Sequence, residues 1–439
     1  MVPDDPNGAA TRRFPTRVAA NFALTLCSVL VSLIMAELVL RLMGVHFDQL
    51  FWTDAYRGVA HVPGAKSAQQ YAGHPFIEIN RDGLRGPDIP LEHPTGTLRI
   101  ALLGDSFIEG FQVPFEKTVG EVIARELSAR RGQPVQVLNF GVGGYGTTQE
   151  LLTLRHEAWK YAPDLIVLGV TTGNDISDNS RALKHYDYVP YYVFQGDTLV
   201  LDTSFRASAA YRARSAWKQP ILEAVLERSS LVQLVNRVRY TRRREERQEE
   251  HATAPSATDA DSGPGAGGAK GTAPGEELGL RDEVLLPPTT QEWKEAWRVT
   301  EAVLTLMRDE CRRKHTLFAL VTLTRAIQVT PRAARKERFL GRLGATDLYY
   351  PERRLAEFGR REGIRVLNLA PTMAELALQR HVYFHAERGQ LDVGHWNEEG
   401  HRVAGEVIAG WLATLLADST ATWGAAADKE ATPGEPLRR

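Results

Sequence analysis

Apolar and polar positions alternate along the chain in an order that predicts strands followed by helices. Three segments have the character of strands, and the last is an unbroken apolar run typical of a parallel sheet covered on both faces: residues 98–104, 134–140 and 164–170. Two segments with helical spacing follow the first two strands: residues 118–130 and 147–161. This alternation predicts a three-layer α/β/α fold around a parallel sheet.

The same order resumes late in the chain. The pattern predicts a helix at 291–314 and a strand at 316–323, followed by helical residues up to about 362. A strand at 364–370 and a final helix at 398–416 complete the series. We therefore expect one core domain made of two segments, residues 98–195 and 290–416. Between them the pattern predicts an insertion at 196–240, which holds the end of a hairpin (191–201) and an amphipathic helix (220–240).

The remaining segments lack this periodicity. Residues 43–97 mix aromatic residues, prolines and turn signals, and are predicted to form an irregular lead-in. Residues 241–288 begin with mixed charge, "TRRREERQEE", and continue in Ala, Gly, Pro, Ser, Thr and Asp. Because such a composition buries little apolar surface, we expect a disordered linker there, and a disordered tail at 417–439.

An apolar segment near the N-terminus predicts a membrane anchor. Residues 18–42 contain a 23-residue stretch, Val18 to Leu40, whose one charge is Glu37, and this length spans a bilayer as a helix. Arginines 12, 13 and 17 precede it, so residues 1–17 are expected in the cytoplasm and the rest outside, in the periplasm of a Gram-negative cell. Glu37 and Arg41 are spaced to pair. The alternative is a buried helix of a soluble core, and later cleavage of the segment stays open.

The composition narrows the class of partner. With 439 residues and a formal net charge of -1, the chain has no electrostatic attraction to nucleic acid. The two cysteines, Cys27 and Cys311, are poorly placed for an internal disulfide, because the first lies in the apolar segment. No spacing typical of metal ligands is evident.

The run "NFGVGGYGTT" contains a G-x-G-x-x-G pattern at Gly141, Gly143 and Gly146. A dinucleotide site needs this turn after the first strand, and an acidic residue at the end of the next strand. Here the glycines follow the second strand, and Asp164 begins the third strand instead of ending it. The nucleotide interpretation is therefore disfavoured.

Chemically active residues follow several strands instead. Ser106 comes after the first strand, the glycine run after the second, and Asn174 after the third. Asp392 and His395 lie just before the final predicted helix. Since ligands of open α/β sheets bind beyond the carboxyl ends of the strands, these groups are expected to converge there. Together they could supply a nucleophile, an oxyanion hole, a base and the carboxylate that orients it.

The order of these pieces resembles that of the SGNH hydrolase superfamily, the GDSL-type esterases and lipases. Four motifs carry the resemblance: "GDSF", the glycine turn, "GND" and the late D-x-x-H. It covers roughly residues 80–195 and 290–415, and implies a flavodoxin-like parallel sheet. The sequence has no G-x-S-x-G, the motif of the α/β-hydrolases.

The resemblance implies roles for individual residues. Ser106 matches the nucleophile and His395 the general base, with Asp392 as the carboxylate that orients the base. The expected oxyanion hole consists of the amide of Ser106, the amide of Gly144 and the side chain of Asn174. Gly143 stays an alternative to Gly144. Neither a metal nor an organic cofactor is expected.

Neighbouring residues have structural interpretations. Asp105 and Asp175 are expected to bond backbone amides in their turns, and His401 to pack on the final helix. His385 is nearer the loop and could contact substrate. An aromatic cluster could form a stacking wall for a sugar or pack within the hairpin: Tyr186, Tyr188, Tyr191, Tyr192 and Phe194.

The expected function is that of a membrane-anchored serine esterase acting outside the cytoplasm. Its ester substrate would be an acyl group on an envelope glycan or lipid, and neither the acyl group nor the oligomeric state follows from the sequence. An O-acyltransferase that modifies a polysaccharide through the same chemistry is one alternative. A non-catalytic binding protein on the same fold is another.

Overall fold

The computed structural model describes residues 16–43, 50–67, 76–215, 229–232, 234–235, 281–387 and 389–430. The chain divides into two compact units. The first comprises Met1–Phe47 and Pro220–Ser256, and the second comprises Asp48–Gln219 and Ala257–Arg439. The second unit holds every strand of the described residues.

The first unit contains one long apolar helix, α1 (Thr16–Leu42). Its stretch Ala20–Leu42 has a mean hydropathy of 2.3 and is, by length and composition, able to cross a membrane. The predicted pair is confirmed, because Nε of Arg41 donates to Glu37 at 2.7 Å. Glu37 also accepts hydrogen bonds from the amides of Ser230 and Leu231, where a helical stretch begins. Most of the helix predicted at 220–240 lies outside the described residues.

Thirteen strands are found in the described part of the second unit. In chain order, β1 to β13 are Phe51–Asp54, Gly58–His61, Lys66–Ser67, Ile77–Glu78, Leu98–Gly104, Val135–Gly141, Leu165–Thr171, Tyr191–Gln195, Thr198–Asp202, Leu317–Leu323, Arg365–Asn368, His385–Glu387 and Gln390–Trp396. Five of them form the central sheet, in the order β11-β10-β7-β5-β6. All neighbours in this sheet are parallel.

Helices connect and cover these strands. In chain order, α2 to α13 are Ser106–Glu109, Val119–Arg131, Thr147–His156, Asp175–Asp178, Arg181–Lys184, Ala209–Ser215, Gln291–Arg313, Ala326–Val329, Ala333–Leu343, Tyr350–Glu362, Leu369–Arg380 and Glu398–Glu430. Short 3₁₀ turns occur at Phe115–Lys117, Ala158–Tyr161, Ser204–Ala207 and Asp282–Leu285.

Alternate residues of each central strand enter two separate cores. In β7, Ile166 and Leu168 pack on the face covered by α4, α8 and α11. Leu165 and Val167 pack on the opposite face, against α3, α12 and α13. This is the two-residue period of a strand buried on both faces. The strand order is that of flavodoxin-like sheets, so the predicted three-layer α/β/α fold is confirmed.

Three sequence expectations need correction. The lead-in is not merely irregular, since residues 50–67 and 76–79 form two small antiparallel strand pairs, β1–β2 and β3–β4. The predicted linker is too long at its C-terminal end, because Val284 and Leu285 are 1% exposed and belong to the core. The last helix continues to Glu430, beyond the predicted end at residue 416. Residues 241–280 and 431–439 lie outside the described residues.

The hairpin of the insertion is confirmed. Strands β8 and β9 pair in antiparallel fashion, from Tyr191 opposite Asp202 to Gln195 opposite Thr198. Helix α6 precedes this hairpin, and its last residue, Lys184, reaches back to the glycine turn after β6. The segment between β7 and the hairpin therefore joins the carboxyl edge of the central sheet.

Candidate active site

Ser106 begins helix α2 directly after strand β5. Asp105 is the N-cap of this short helix, and its carboxylate accepts a hydrogen bond from the Phe107 amide at 3.0 Å. The cap fixes the turn between strand and helix at the carboxyl edge of the sheet. Ser106 therefore occupies the position that the strand pattern predicts.

Ser106 and His395 are in direct contact. Oγ of Ser106 lies 2.9 Å from Nε2 of His395, although 289 positions separate the two residues. His395 lies on β13, and its ring packs against the Phe107 ring with centroids 5.0 Å apart. A serine hydroxyl that donates to an imidazole nitrogen at this distance can pass its proton to the ring.

The other nitrogen of His395 faces Glu387. Nδ1 lies 3.6 Å from Oε2 of Glu387, a residue on the partner strand β12. At that distance the contact is an ion pair with the protonated ring rather than a formed hydrogen bond. A carboxylate on this side favours a proton on Nδ1, which leaves Nε2 free to accept from Ser106.

A glycine makes room for this carboxylate. Gly394 adopts φ +69°, and a Cβ at that position would overlap the side chain of Glu387. An L-residue would be strained there even without the overlap. Gly394 thus lets Glu387 pass over the backbone next to His395.

Asp392 is placed differently from the sequence prediction. Its Oδ2 accepts from Oγ1 of Thr330 at 2.7 Å and pairs with Arg335 at 2.6 Å. Asp392 has φ +71°, and its carboxylate is engaged with the segment that leads into α10 and with α10 itself. The carboxylate that the structure pairs with His395 is that of Glu387, so the expectation that Asp392 orients the base is not met here.

Charges around His395 adjust its basicity. Burial opposes the charged form of the ring. The negative charges of Glu387, Asp105 and Glu109 favour the charged ring, and Glu387 has the largest effect of the three. Together they outweigh burial and raise the pKa of His395 above its ordinary value. A base with a raised pKa accepts the serine proton more readily, but it is also protonated at a higher pH.

Three hydrogen-bond donors lie beyond the carboxyl ends of β5, β6 and β7: the amide of Ser106, the amide of Gly144 and Nδ2 of Asn174. Gly143 has its amide engaged, since it donates to Oε1 of Glu109 at 2.9 Å. Across the described part of the chain, no hydrogen-bond acceptor is assigned to the amides of Ser106 and Gly144. Nδ2 of Asn174 donates one hydrogen to Asp105 at 3.2 Å and keeps a second. The structure thus leaves these three groups able to donate to a ligand, and favours Gly144 over Gly143.

Asp105 and Asp175 organise the turns beneath these donors. Asp105 is fully buried and also accepts from Oγ1 of Thr171 at 2.9 Å. Burial raises its pKa, although hydrogen bonds from Phe107, Asn174 and Thr171 oppose that shift. Asp175 accepts from the Thr171 amide at 2.7 Å. The structural interpretation of both residues is confirmed.

The glycines of the G-x-G-x-x-G pattern permit close packing. A Cβ on Gly141 would overlap the backbone of α2 at Ile108 and Glu109. A Cβ on Gly146 would lie 2.9 Å from Cβ of Asp178 in α5. These glycines let the helices that follow β5 and β7 approach the turn, which explains the pattern without a nucleotide.

Both nearby histidines are structural. His385 is 1% exposed, with Nδ1 2.7 Å from the Gly394 carbonyl and Nε2 2.9 Å from Oγ1 of Thr324. Burial lowers its pKa to about 3. His401 is also buried, and its Nδ1 accepts from the Val119 amide at 3.2 Å. The prediction for His401 is confirmed, and His385 supports the hairpin that carries His395.

The aromatic cluster divides in two. Tyr191 and Tyr192 are buried, as expected for packing of the hairpin. Tyr186 is 45% exposed and stacks on Tyr188, with ring centroids 5.1 Å apart. Lys184 lies 5.5 Å from the centre of the Tyr186 ring, and Arg214 lies 3.9 Å from that of Tyr188. The stacked pair is therefore already in contact with cationic side chains.

Sequence reasoning missed three residues that contact the site. Glu387 lies outside every motif, and the one available signal was a glycine immediately before His395. Glu109 belongs to the "GDSFIEG" segment, at the helical spacing of three from Ser106. Lys184 had no signal, because it is brought to the glycine turn by α6, a four-residue helix that no pattern in the sequence indicates.

Comparisons with known proteins give distant matches. No family model matches the chain, and neither does any curated protein sequence. Among solved structures, it is similar to a lipase/acylhydrolase from Enterococcus faecalis at 12% identity and a TM-score of 0.31, over 72% of this chain and 96% of that one. An acetyl xylan esterase matches at 10% identity and a TM-score of 0.35, over 72% and 99%.

A third similar structure is a catalytic mutant of an acetylxylan esterase from Geobacillus stearothermophilus. It matches at 11% identity and a TM-score of 0.32, over 71% of this chain and 94% of that one. These three proteins are described as a lipase/acylhydrolase and as acetylxylan esterases. Likenesses this distant say nothing about chemistry, so the function has to follow from the residues of this chain.

Proposed function

We propose that this chain is a serine esterase of the SGNH type. The observation that carries the proposal is the 2.9 Å contact between Oγ of Ser106 and Nε2 of His395 at the carboxyl edge of a flavodoxin-like sheet. A carboxylate behind the imidazole and free backbone donors beside the serine complete the set of groups that acyl transfer needs.

The reaction uses residues in defined roles. Ser106 attacks the ester carbonyl while His395 takes its proton, and the negative oxygen that forms is stabilised by the amides of Ser106 and Gly144 and by Asn174. His395 then returns the proton to the leaving alcohol. Water, activated by the same histidine, releases the acid from the acyl-enzyme and restores Ser106.

Glu387 holds His395 in this scheme. Its carboxylate favours the Nδ1–H tautomer and stabilises the imidazolium that forms in the transition state. Asp392, the residue expected from the D-x-x-H spacing, contributes through the hairpin instead, because its ion pair with Arg335 ties β13 to α10.

The apolar helix α1 supports a proposal about the cellular setting. We propose that α1 anchors the chain in a membrane, with the N-terminus in the cytoplasm and the esterase unit outside. An anchored enzyme of this kind meets envelope glycans and lipids, so the substrate proposed is an ester on one of these. Transfer of the acyl group to a glycan hydroxyl would use the same acyl-enzyme.

Active-site labelling tests the proposal. The full-length protein in detergent is treated with a serine-reactive fluorophosphonate, and the modified peptide is located by mass spectrometry. We expect the label on Ser106, none in Ser106→Ala, and unchanged labelling in Ser208→Ala, which removes a serine of the insertion. A wild-type protein that stays unlabelled and does not hydrolyse p-nitrophenyl acetate contradicts the proposal.

A further inference from the structure

The peptide that carries the Gly144 amide lies between two anchored peptides. On one side, Gly143 donates its N–H to Oε1 of Glu109 at 2.9 Å. On the other side, the carbonyl oxygen of Gly144 accepts from Nζ of Lys184 at 2.6 Å. Each contact fixes the plane of a neighbouring peptide, so the peptide between them has little freedom to rotate.

The first anchor is built into the helix of the nucleophile. Glu109 lies three residues after Ser106 in α2, and its side chain is 5% exposed. The oxygen that accepts from Gly143 also contacts Nε2 of His61 at 2.8 Å. Arg85 donates to the backbone carbonyl of Glu109 at 2.7 Å. The lead-in segment thus holds Glu109, and Glu109 holds the turn.

The second anchor is a buried ammonium group. Lys184 has a side chain that is 4% exposed, and its Nζ also donates to Oδ2 of Asp178 at 2.9 Å. Burying an ammonium group costs free energy unless charged and polar partners compensate for the lost water. Here one partner is a carboxylate and the other is the carbonyl of Gly144, so the lysine and the turn constrain each other.

The turn needs such support. Gly144 adopts φ +79°, and a Cβ there would meet open space, so the glycine is required by its backbone angle rather than by crowding. A glycine turn without anchors samples many orientations. Donors lower the barrier of acyl transfer when they are already aimed at the position where the oxyanion develops.

We propose that Lys184 and Glu109 are positioning residues that hold the Gly143–Gly144 peptide with its N–H directed at the oxyanion. The inference rests on the proposed esterase function. Because the oxyanion exists in the transition state and not in the bound ester, loss of either anchor lowers kcat and leaves KM nearly unchanged.

Matched lysine variants test this role in the full-length protein. Lys184→Met keeps the length of the side chain and removes its donors, whereas Lys184→Arg keeps a positive donor. Lys160→Met removes an exposed lysine that pairs with Glu157 on the surface. The readouts are kcat and KM for p-nitrophenyl acetate and the inhibition constant of phenylboronic acid, which forms a tetrahedral adduct on the serine.

We expect Lys184→Met to lower kcat by about tenfold or more, less than the full loss of a donor, with KM within about twofold. Its affinity for the boronic acid should fall in parallel, Lys184→Arg should recover part of the loss, and Lys160→Met should match the wild type. Wild-type kcat in Lys184→Met, or a loss confined to KM with unchanged boronate affinity, overturns the inference.

A second variant keeps the test decisive. If Lys184→Met does not fold, Glu109→Met takes its place, because methionine keeps roughly the length of the side chain and removes the oxygen that accepts from Gly143. A severalfold loss in kcat at constant KM supports the inference, and a wild-type kcat contradicts it. A wild-type chain without labelling at Ser106 contradicts the esterase function itself, which is a separate result.

Discussion

The two halves of the proposed active site have different structural supports. Ser106, the glycine turn and Asn174 follow three adjacent strands of one parallel sheet. His395 lies on the two-stranded hairpin β12–β13, where the pairing shifts register between His385 and Ala386. The first half is held by the fold, and the second half by local contacts.

Because of this difference, the backbone alone determines where the residues of the first half lie, whereas local contacts determine it in the second half. In the sheet, Gly104 pairs with Gly141 and Leu103 with Leu168, so residues just beyond these strand ends lie side by side whatever their side chains are. In the hairpin, two carboxylates lie within eight positions of His395. Which of them faces the imidazole depends on a left-handed turn, an ion pair and one glycine.

The largest expected decrease in kcat comes from removing the base, His395, from the hairpin. His395→Ala should lower kcat by about 10⁴-fold or more, since removing the base of such a unit abolishes activation of the serine. His93→Ala is the matched control, because His93 pairs with Asp164 at the amino end of β7. Steady-state hydrolysis of p-nitrophenyl acetate measures both variants. More than about a tenth of wild-type turnover in His395→Ala would remove this residue from the mechanism.

A smaller effect is expected on the side of the sheet. Asn174→Ala should lower kcat by roughly 10²–10³ through the loss of one oxyanion donor. Thr171→Val is the control, because it removes another hydrogen bond to Asp105 without changing the donor itself. We expect Thr171→Val to lose much less activity than Asn174→Ala. Equal losses would mean that Asn174 acts by holding Asp105 in place.

The sequence predicted what the regular sheet determines. The parallel sheet and its two buried faces follow from apolar periodicity, and the polar residues at strand ends predict that Ser106 and His395 meet. The flavodoxin-like strand order was implied by the resemblance to the SGNH hydrolases. The cap by Asp105 and the packing role of His401 were also predictable, because turn and helix positions assign them. The boundaries of segments were predicted less accurately, since residues 281–288, assigned to the disordered linker, are part of the folded unit.

The other contacts of the site could not be predicted, because they join side chains whose proximity no sequence pattern indicates. Glu387 is eight positions from His395 and reaches it across a bulged pair of strands. Lys184, the last residue of α6, reaches Gly144 although forty positions separate the two residues in the chain. Hydrophobic periodicity places backbones and leaves open which of several nearby charged groups faces a given atom. Asp392 was therefore the natural choice from spacing, and the pairing in the structure is with Glu387.

Whether Glu387 or Asp392 acts on His395 is tested most directly by the pH dependence of kcat/KM. The wild type, Glu387→Gln and Asp392→Asn are compared. His395 works when neutral, and its raised pKa places the acidic limb of the wild type above the ordinary imidazole value of 6.5. Glu387 stabilises the imidazolium, so Glu387→Gln should lower the pKa of His395, move that limb to lower pH and reduce the plateau rate. Asp392→Asn should keep the wild-type midpoint, and its thermal midpoint reports any loss of the tie to Arg335. An acidic limb that moves in Asp392→Asn and stays in place in Glu387→Gln would contradict the account.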